Sequence, residues 1–370
     1  MRSGSTQMLS RADDYPIHQR PEPIAVAGSD RNFYDRYFFN GQSPDGRHFF
    51  AAALGVYPHL NLIDAAFAVM ADGVQRSVFA SRILHHERMD TRVGPLAVAV
   101  LEPLQRLGLT LADTEGLAAD LVFTGRHAPI EEPRFTRRQG SRLLMDVTRM
   151  TVNGDWSGTL TLDGTPIDVG GWQGTRDRSW GIRPIGSADA QPVVPPVPPQ
   201  FFWAWAPLNF PHHSLYFHSN DDETGAPWNR SALLVDLASG AETKLAQPAF
   251  TFTYRPGTRR VAAATLTGLS PQGPVTVSLT PQADFHMHGI GYGHPKHGHG
   301  AWRGDHHLAT ERFGPGDPAI PLNAHIQALV AAELRLPDGT THAGRGVLEQ
   351  LFIGPHAPSG FRELFDLAPA

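Results

Sequence analysis

The sequence predicts an all-β protein made of two antiparallel halves, each a β-barrel or sandwich, with few short helices. Three observations carry this reading. Short runs of strand-forming residues recur between turn signals along most of the chain. Glycine (37) and proline (32) make up just under a fifth of the 370 residues, which favours many turns between short strands. A proline-dense stretch, residues 191–199, lies near the middle of the chain and suits a semi-rigid polyproline spacer. The expected organisation is a loose leader over 1–28, an N-terminal β domain over 29–190, the linker over 191–199 and a C-terminal β domain over 200–370.

The elements follow in order. Asp30 to Phe39 alternates aromatic and polar residues, as a strand does. Ser43 to Gly46 is a turn in which proline presets φ and glycine takes a positive φ. Arg47 to Leu54 is its partner strand. Phe67 to Met70 and Gln75 to Arg82 are strands joined by an Asp72-Gly73 turn. Val98 to Leu101, Leu107 to Leu111 and Leu117 to Phe123 continue the pattern, and Ala128 to Pro133 reads as a polar loop in which Glu131 and Glu132 are solvated. Leu143 to Val152 and Trp156 to Leu162 are expected to form a hairpin on a type I′ Asn153-Gly154 turn. Asp163-Gly164 turns the chain again.

Beyond the linker, strands are expected at Gln200–Trp205, Leu215–His218, Ser231–Asp236, Phe250–Tyr254, Val261–Leu266 and Val275–Leu279. A hairpin follows over Ile326–Leu336 and Gly346–Ile353, and a short helix over Gly360–Phe365 closes the chain. A faint internal echo supports two similar units. Leu160 to Thr165 leads to a glycine-rich strand, and Leu334 to Thr340 leads to another about half a chain later.

Composition narrows the function. A net charge of −5 gives no reason to expect a nucleic-acid partner. With no cysteine, disulfides, zinc–thiolate sites and a cysteine nucleophile are excluded. There is no Gly-x-Ser-x-Gly elbow, no dinucleotide-binding glycine fingerprint and no P-loop, so neither serine-hydrolase chemistry nor a nucleotide cofactor is indicated. The first residues lack an apolar signal core and no run of eighteen apolar residues occurs, so a cytoplasmic protein without a membrane span is expected.

The chemistry concentrates in Gly170–Arg183, which packs one carboxylate, three arginines and two tryptophans into fourteen residues. In an extended strand Asp177 and Ser179 share one face, while Arg176, Arg178 and Trp180 share the other. A carboxylate aimed into an apolar barrel is desolvated and its pKa rises, which keeps a proton donor ready near neutral pH. The bland alternative is a structural Asp177 held by arginine and backbone N–H groups.

A second cluster, Phe285–His307, holds seven of the nineteen histidines. His286 with His288, and His297 with His299, have the spacing of one strand face, so a metal site is conceivable. No His-Glu-x-x-His motif occurs, and the glycine alternation suits a loop whose histidines bond to backbone, so no metal is expected. Glu349 and Asp64 are carboxylates within apolar stretches, and structural pairing is the simpler reading for each.

Several strings, taken together, resemble one family. They are Tyr34–Phe39, Leu54–Asp64, Asp146–Arg149, Gly291–Gly300, Gly346–Gln350 and, most specifically, Gly174-Thr-Arg-Asp-Arg-Ser-Trp-Gly-Ile-Arg183. From about residue 30 onward the chain resembles the hydroxyneurosporene synthase (carotenoid 1,2-hydratase) superfamily, and more closely an uncharacterised bacterial branch of it. The resemblance implies two lipocalin-like β-barrel halves and a hydrophobic ligand. It further implies carotenoid hydration or, among related proteins, terpenoid or pericyclic cyclisation. In those hydratases an aspartate of an Asp-His-Asn-type string at the end of the first barrel is the proton donor to an alkene. Asp177 occupies that position, with Arg178-Ser179 replacing His-Asn.

The expected function is a cofactor-independent acid–base enzyme, a hydratase, isomerase or cyclase, acting on an isoprenoid or polycyclic lipid. Asp177 is the expected acid. His294, His299 and Glu349 are candidates for base or water positioning. Trp172 and Trp180 would face a developing cation, an interaction worth roughly 0.5–2 kcal/mol. Arg176 or Arg183 would hold Asp177 or the polar end of a substrate, and Tyr57 and Trp302 complete the expected binding residues. The rival is a non-catalytic lipocalin-type carrier of a hydrophobic ligand.

Overall fold

A computed structural model describes residues 9–18, 30–140, 142–186, 199–314 and 324–369. The expected linker lies almost wholly outside the described residues. As expected, the chain is built from two antiparallel sheets, of fourteen and nine strands, which form a half-barrel and a nearly closed barrel. The helical elements among the described residues are single 3-10 turns, such as Arg11–Asp14 and Met287–Ile290. No helix is long and apolar enough to cross a membrane.

The strand that carries Asp177, Gln173–Ile182, lies deep within the first sheet. It pairs on one side with Phe33–Gln42 and on the other with Arg142–Leu162. Asp177 stands opposite Phe38 on one neighbour and Thr151 on the other. Phe201–Asn209 and Thr341–Ile353 form the corresponding centre of the second sheet. One strand crosses the expected domain division: His306–Phe313 joins the edge of the first sheet beside Val74–Ile83.

Period-two alternation sorts most of the apolar residues into three large cores, beside a small cluster of Ile130, Tyr216 and Val235. One is enclosed by the curled first sheet and includes Phe39, Phe50, Phe123, Trp156 and Trp172. Another lies within the second sheet, around Phe202, Phe217 and Phe352. The third fills the space between the sheets, where Tyr34, Phe38 and Phe135 of the first meet Trp203, Trp205 and Val347 of the second.

The turns at Asp72-Gly73 and Asp163-Gly164 form as the sequence indicates, with positive φ at all four residues. Asn153-Gly154 does not turn. Arg142–Leu162 is one continuous strand of 21 residues, and neither Asn153 nor Gly154 adopts a positive φ. Tertiary packing accounts for both residues. Asn153 bridges the sheets, donating from Nδ2 to the Leu208 carbonyl (2.9 Å) and accepting from Thr175 Oγ1 (2.7 Å). A Cβ on Gly154 would stand 2.2 Å from the Phe123 ring, so the glycine serves close approach rather than a bend.

The expected helix over Gly360–Phe365 is absent as well. A 3-10 turn at Ala357–Ser359 ends at Gly360, whose φ is +75°, and Phe361 bridges back to His356.

Candidate active site

Strand alternation places the two faces of Gln173–Ile182 in different environments. Arg176 and Arg178 turn toward the segment 9–18, which packs against this part of the first sheet. Arg176 pairs with the fully buried Asp14 (Nη1–Oδ1 2.5 Å), and Arg178 pairs with buried Asp35 while stacking over the Tyr37 ring at 3.9 Å. Trp180 stacks on His18 with ring centroids 3.6 Å apart. That face is a closed ion-pair network.

Asp177 points the other way, and not into the core of the first barrel. Its cross-strand neighbour Phe38 belongs to the core between the sheets. The expectation of a barrel-interior carboxylate is corrected accordingly. A second sheet covers the outer face of the first, and Asp177 is desolvated there. It keeps some accessible surface although protein surrounds it. No hydrogen bond or ion pair reaches its carboxylate among the described residues. Burial pushes its pKa up to about 7. Arg149 and Arg36 draw it down, and Glu132 and Glu349 push it up.

Two other carboxylates near Asp177 are held ionised. Glu349 accepts from Trp203 Nε1 (2.9 Å), His325 Nε2 (2.9 Å) and Gln327 Nε2 (2.7 Å). Burial alone would raise its pKa, but these donors hold it below the ordinary value. Glu132, expected to be solvated, is 4% exposed. It accepts from Arg149 Nε (2.8 Å) and Thr151 Oγ1 (2.7 Å). Burial acts to raise its pKa and is outweighed, chiefly by the Arg149 charge. Its burial has a plain cause: the polar segment containing it pairs briefly with Arg142–Leu162, through Ile130–Glu131, and is carried into the interface. The Arg149 guanidinium lies against Phe135, Trp203 and Trp205, 4.8–5.4 Å from their ring centroids.

Arg36 and Arg183 complete the basic side of the site. Both lie over the Tyr292 ring, at 4.6 and 5.6 Å, and Arg183 also covers Tyr34 at 4.5 Å. Both approach His299 Nδ1, Arg36 at 2.7 Å and Arg183 at 3.1 Å. A guanidinium only donates, so Nδ1 is the acceptor, and Nε2–H donates to the Ile290 carbonyl (2.9 Å). Burial and these two cations hold the His299 pKa well below its usual value. His299 is thereby fixed as a neutral anchor for the two arginines, and its lone pair is not free to act as a base.

Tyr57 donates to Asp64 Oδ1 (3.1 Å), and Asp64 Oδ2 accepts from the Gly300 N–H (2.7 Å). Burial raises the Asp64 pKa to about 6, against the Gly300 bond and the Arg36 charge. Asp64, Arg36 and His299 line a cavity of ≈ 20 Å³, room for about one water molecule.

The histidine cluster divides. His297 and His299 do not share a face, because they sit in a loop rather than a strand: His299 meets the arginines, and His297 stacks on Phe79. His294, His297 and Glu311 bring potential metal-binding atoms within 4.8 Å of one another. The hydrogen bonds argue against a metal there. His294 Nδ1 accepts the backbone N–H groups of Lys296 (3.0 Å) and His297 (2.8 Å). Its proton therefore sits on Nε2, which donates to Glu311 (2.8 Å). A metal-bound histidine has the opposite arrangement, donating from its second nitrogen.

Of the residues singled out from the sequence, Asp177, Arg183, Tyr57, His299 and Glu349 contribute to one region. Trp172 does not: it lies in the first-barrel core, with its ring 6.2 Å from Phe50. Arg176 and Trp180 occupy the far face of the strand. His294 belongs to the Glu311 cluster, and Trp302 is 55% exposed. Sequence reasoning missed Arg36, Arg149, Glu132, Tyr34, Tyr292, Trp203 and His325. Tyr34, Arg36, Arg149 and Tyr292 did fall within the strings that carry the family resemblance, and their positions there were the available signal.

A model described as a family of unknown function (DUF8625) matches residues 9–362. No curated protein matches the sequence significantly. Solved structures share the fold. An AttH-designated protein of Nitrosomonas europaea aligns with a TM-score of 0.52 at 16% identity, over 90% of this chain and 96% of its own. Kievitone hydratase from Nectria haematococca aligns with a TM-score of 0.53 at 11% identity, over 91% and 92%. CghA, solved with Sch210972, aligns with a TM-score of 0.50 at 10% identity, over 94% and 97%. At these identities the likeness is one of fold.

Proposed function

This chain belongs to the DUF8625 family, and we propose that it is a cofactor-independent acid–base enzyme that protonates an alkene in an apolar isoprenoid or polycyclic substrate. One observation carries the proposal. Asp177 faces the space between the sheets with no hydrogen-bond partner among the described residues and its pKa pushed up to about 7 by burial, so a large share of it holds a proton near neutrality. The arginines behind it are paired with Asp14 and Asp35, so Asp177 is not needed to neutralise them.

The surroundings suit the reaction. When the carboxyl O–H bond breaks and a C–H bond forms on the alkene, Asp177 is left as a carboxylate. Arg149 and Arg36 then stabilise it without having to move. The cation formed on the substrate meets the Phe38 ring and the negative charges of Glu349 and Glu132. Water adding to that cation gives a hydratase, and loss of a neighbouring proton gives an isomerase or cyclase. Glu349, ionised and buried, is the favoured acceptor for that proton. That a hydratase shares the fold agrees with this reading.

The test is isotopic. The protein is incubated with a lipid and terpenoid extract in D₂O and in ¹⁸O-water, beside Asp177→Asn, with mass spectrometry as readout. Label entering a product with the wild type alone supports the proposal. A ligand that co-purifies with both proteins and returns unlabelled favours the carrier instead.

A further inference from the structure

A second region on the site face of the sheets is unexplained by proton transfer. An open cavity of ≈ 770 Å³ lies at the end of the inter-sheet space, bordered by Arg137, Leu144, Gln200, Phe201 and Ile353. Its size is within the range of small-molecule pockets. Arg137 stands over Phe201 and Trp228, 5.9 and 5.2 Å from their centroids, and donates to the Gln200 carbonyl at 3.1 Å. It makes no ion pair among the described residues. The carboxylate that also borders the cavity, Glu223, is exposed at the rim.

Strand register ties this cavity to Asp177. Phe201 pairs with Ile353, and Trp203 with Leu351, so all four share the face that carries Glu349. In the first sheet Arg137 stands opposite Met145, and Asp177 opposite Thr151. Met145 and Thr151 are six positions apart on one strand, about 20 Å at roughly 3.3 Å per residue. Phe201, Met145 and Leu351 pack against the inter-sheet core while remaining only partly buried. Of these, Phe201 borders the cavity, and Met145 and Leu351 occupy strand positions between it and the acid.

We propose that Arg137 anchors the carboxylate of an amphipathic ligand whose apolar body runs along Phe201, Met145 and Leu351 and presents its reactive end to Asp177. An arginine braced on aromatic rings, half-buried and with no ion pair among the described residues, Glu223 and Asp222 acting on it only through their charge, offers a planar donor fork that matches a carboxylate. The distance requires an elongated molecule. This inference rests on Asp177 as the reacting group, but the anchor is tested separately from it.

The experiment is a fluorescence titration with cis-parinaric acid and with its methyl ester. The wild type should bind the acid about tenfold more tightly than the ester, the worth of one charge-assisted contact. Arg137→Gln should abolish that preference, and Arg137→Lys, which keeps the charge without the fork, should lose less of it. Leu351→Gln should weaken acid and ester alike, leaving their ratio unchanged. Equal binding of acid and ester by the wild type, or an unchanged ratio in Arg137→Gln, overturns the proposal. Asp177→Asn should keep the preference for the acid. If it does so while isotope incorporation proves independent of Asp177, the acid–base reading fails and the anchor stands.

Discussion

Asp177 and Arg178 are neighbours in one strand, yet they serve opposite faces of the first sheet. The Arg178 side chain closes a buried pair with Asp35, while the Asp177 carboxylate meets the second sheet with no partner bonded to it among the described residues. A single peptide unit separates a structural ion pair from the proposed acid. The pleat allows this, since successive side chains point to opposite faces. The consequence is that Asp177 can lose its charge without unpairing an arginine.

Replacing the acid should remove the chemistry and spare the fold. Asp177→Asn is expected to lower turnover by about 10²–10⁴-fold, the usual worth of a positioned acid. Incorporation of deuterium from solvent is the readout, with circular dichroism confirming an intact fold.

The pH dependence has a definite sign. The proposed reaction needs protonated Asp177, so the rate should be level below pH 7 and fall about tenfold for each further step of one in pH well above it. A rate that instead rises through pH 8 would assign Asp177 the role of a base.

Stability should carry the same signature. The folded-state pKa of Asp177 lies above its unfolded value, so its contribution is fully present below about pH 4 and is lost as pH rises toward 7. Each tenfold difference in proton affinity between the folded and unfolded chain is worth about 1.4 kcal/mol, and the partial accessibility of the carboxyl reduces what is realised. Asp177→Asn should therefore melt increasingly above the wild type between pH 5 and pH 8. Parallel melting curves across that range would contradict the raised pKa.

Glu349 contributes to the raised Asp177 pKa through its charge. Glu349→Gln removes that negative charge, so the alkaline limb of the rate profile should move to lower pH. The substitution disturbs a buried acceptor of three hydrogen bonds and should cost about 1–3 kcal/mol in denaturant titrations.

The Gly154 position offers a test of the continuous strand. Gly154→Ala would place a methyl group 2.2 Å from the Phe123 ring and 2.5 Å from the Thr124 carbonyl oxygen. Urea unfolding should show a loss of about 1–3 kcal/mol from overpacking. Were Asn153-Gly154 a hairpin turn, the alanine would be strained by φ instead, and Gly154→Asn would be tolerated.

Much of the fold was legible because it is local. Alternating runs gave the strands, and glycine after aspartate marked two turns where a positive φ is needed. The same logic failed at Asn153-Gly154, where a ring packed against the backbone demanded glycine. It failed again at Glu132, where a polar loop is drawn under the second sheet. Among the tryptophans, Trp172 is close to Asp177 in sequence but lies in a different core. Trp203, which packs against Arg149 and donates to Glu349, is on another sheet.

What the sequence determined by itself was the strand and its parity: Asp177 on one face, Arg176, Arg178 and Trp180 on the other. Which face would be desolvated was decided by tertiary structure. The groups that set the Asp177 pKa are Arg36, Glu132, Arg149 and Glu349, brought from four separate parts of the chain. A charge in low dielectric responds to whatever lies within several ångströms, regardless of distance along the sequence. Strand pairing within the first sheet put Arg36, Arg149 and Glu132 beside Asp177, and the packing of the second sheet on that face added Glu349 and shut out the water.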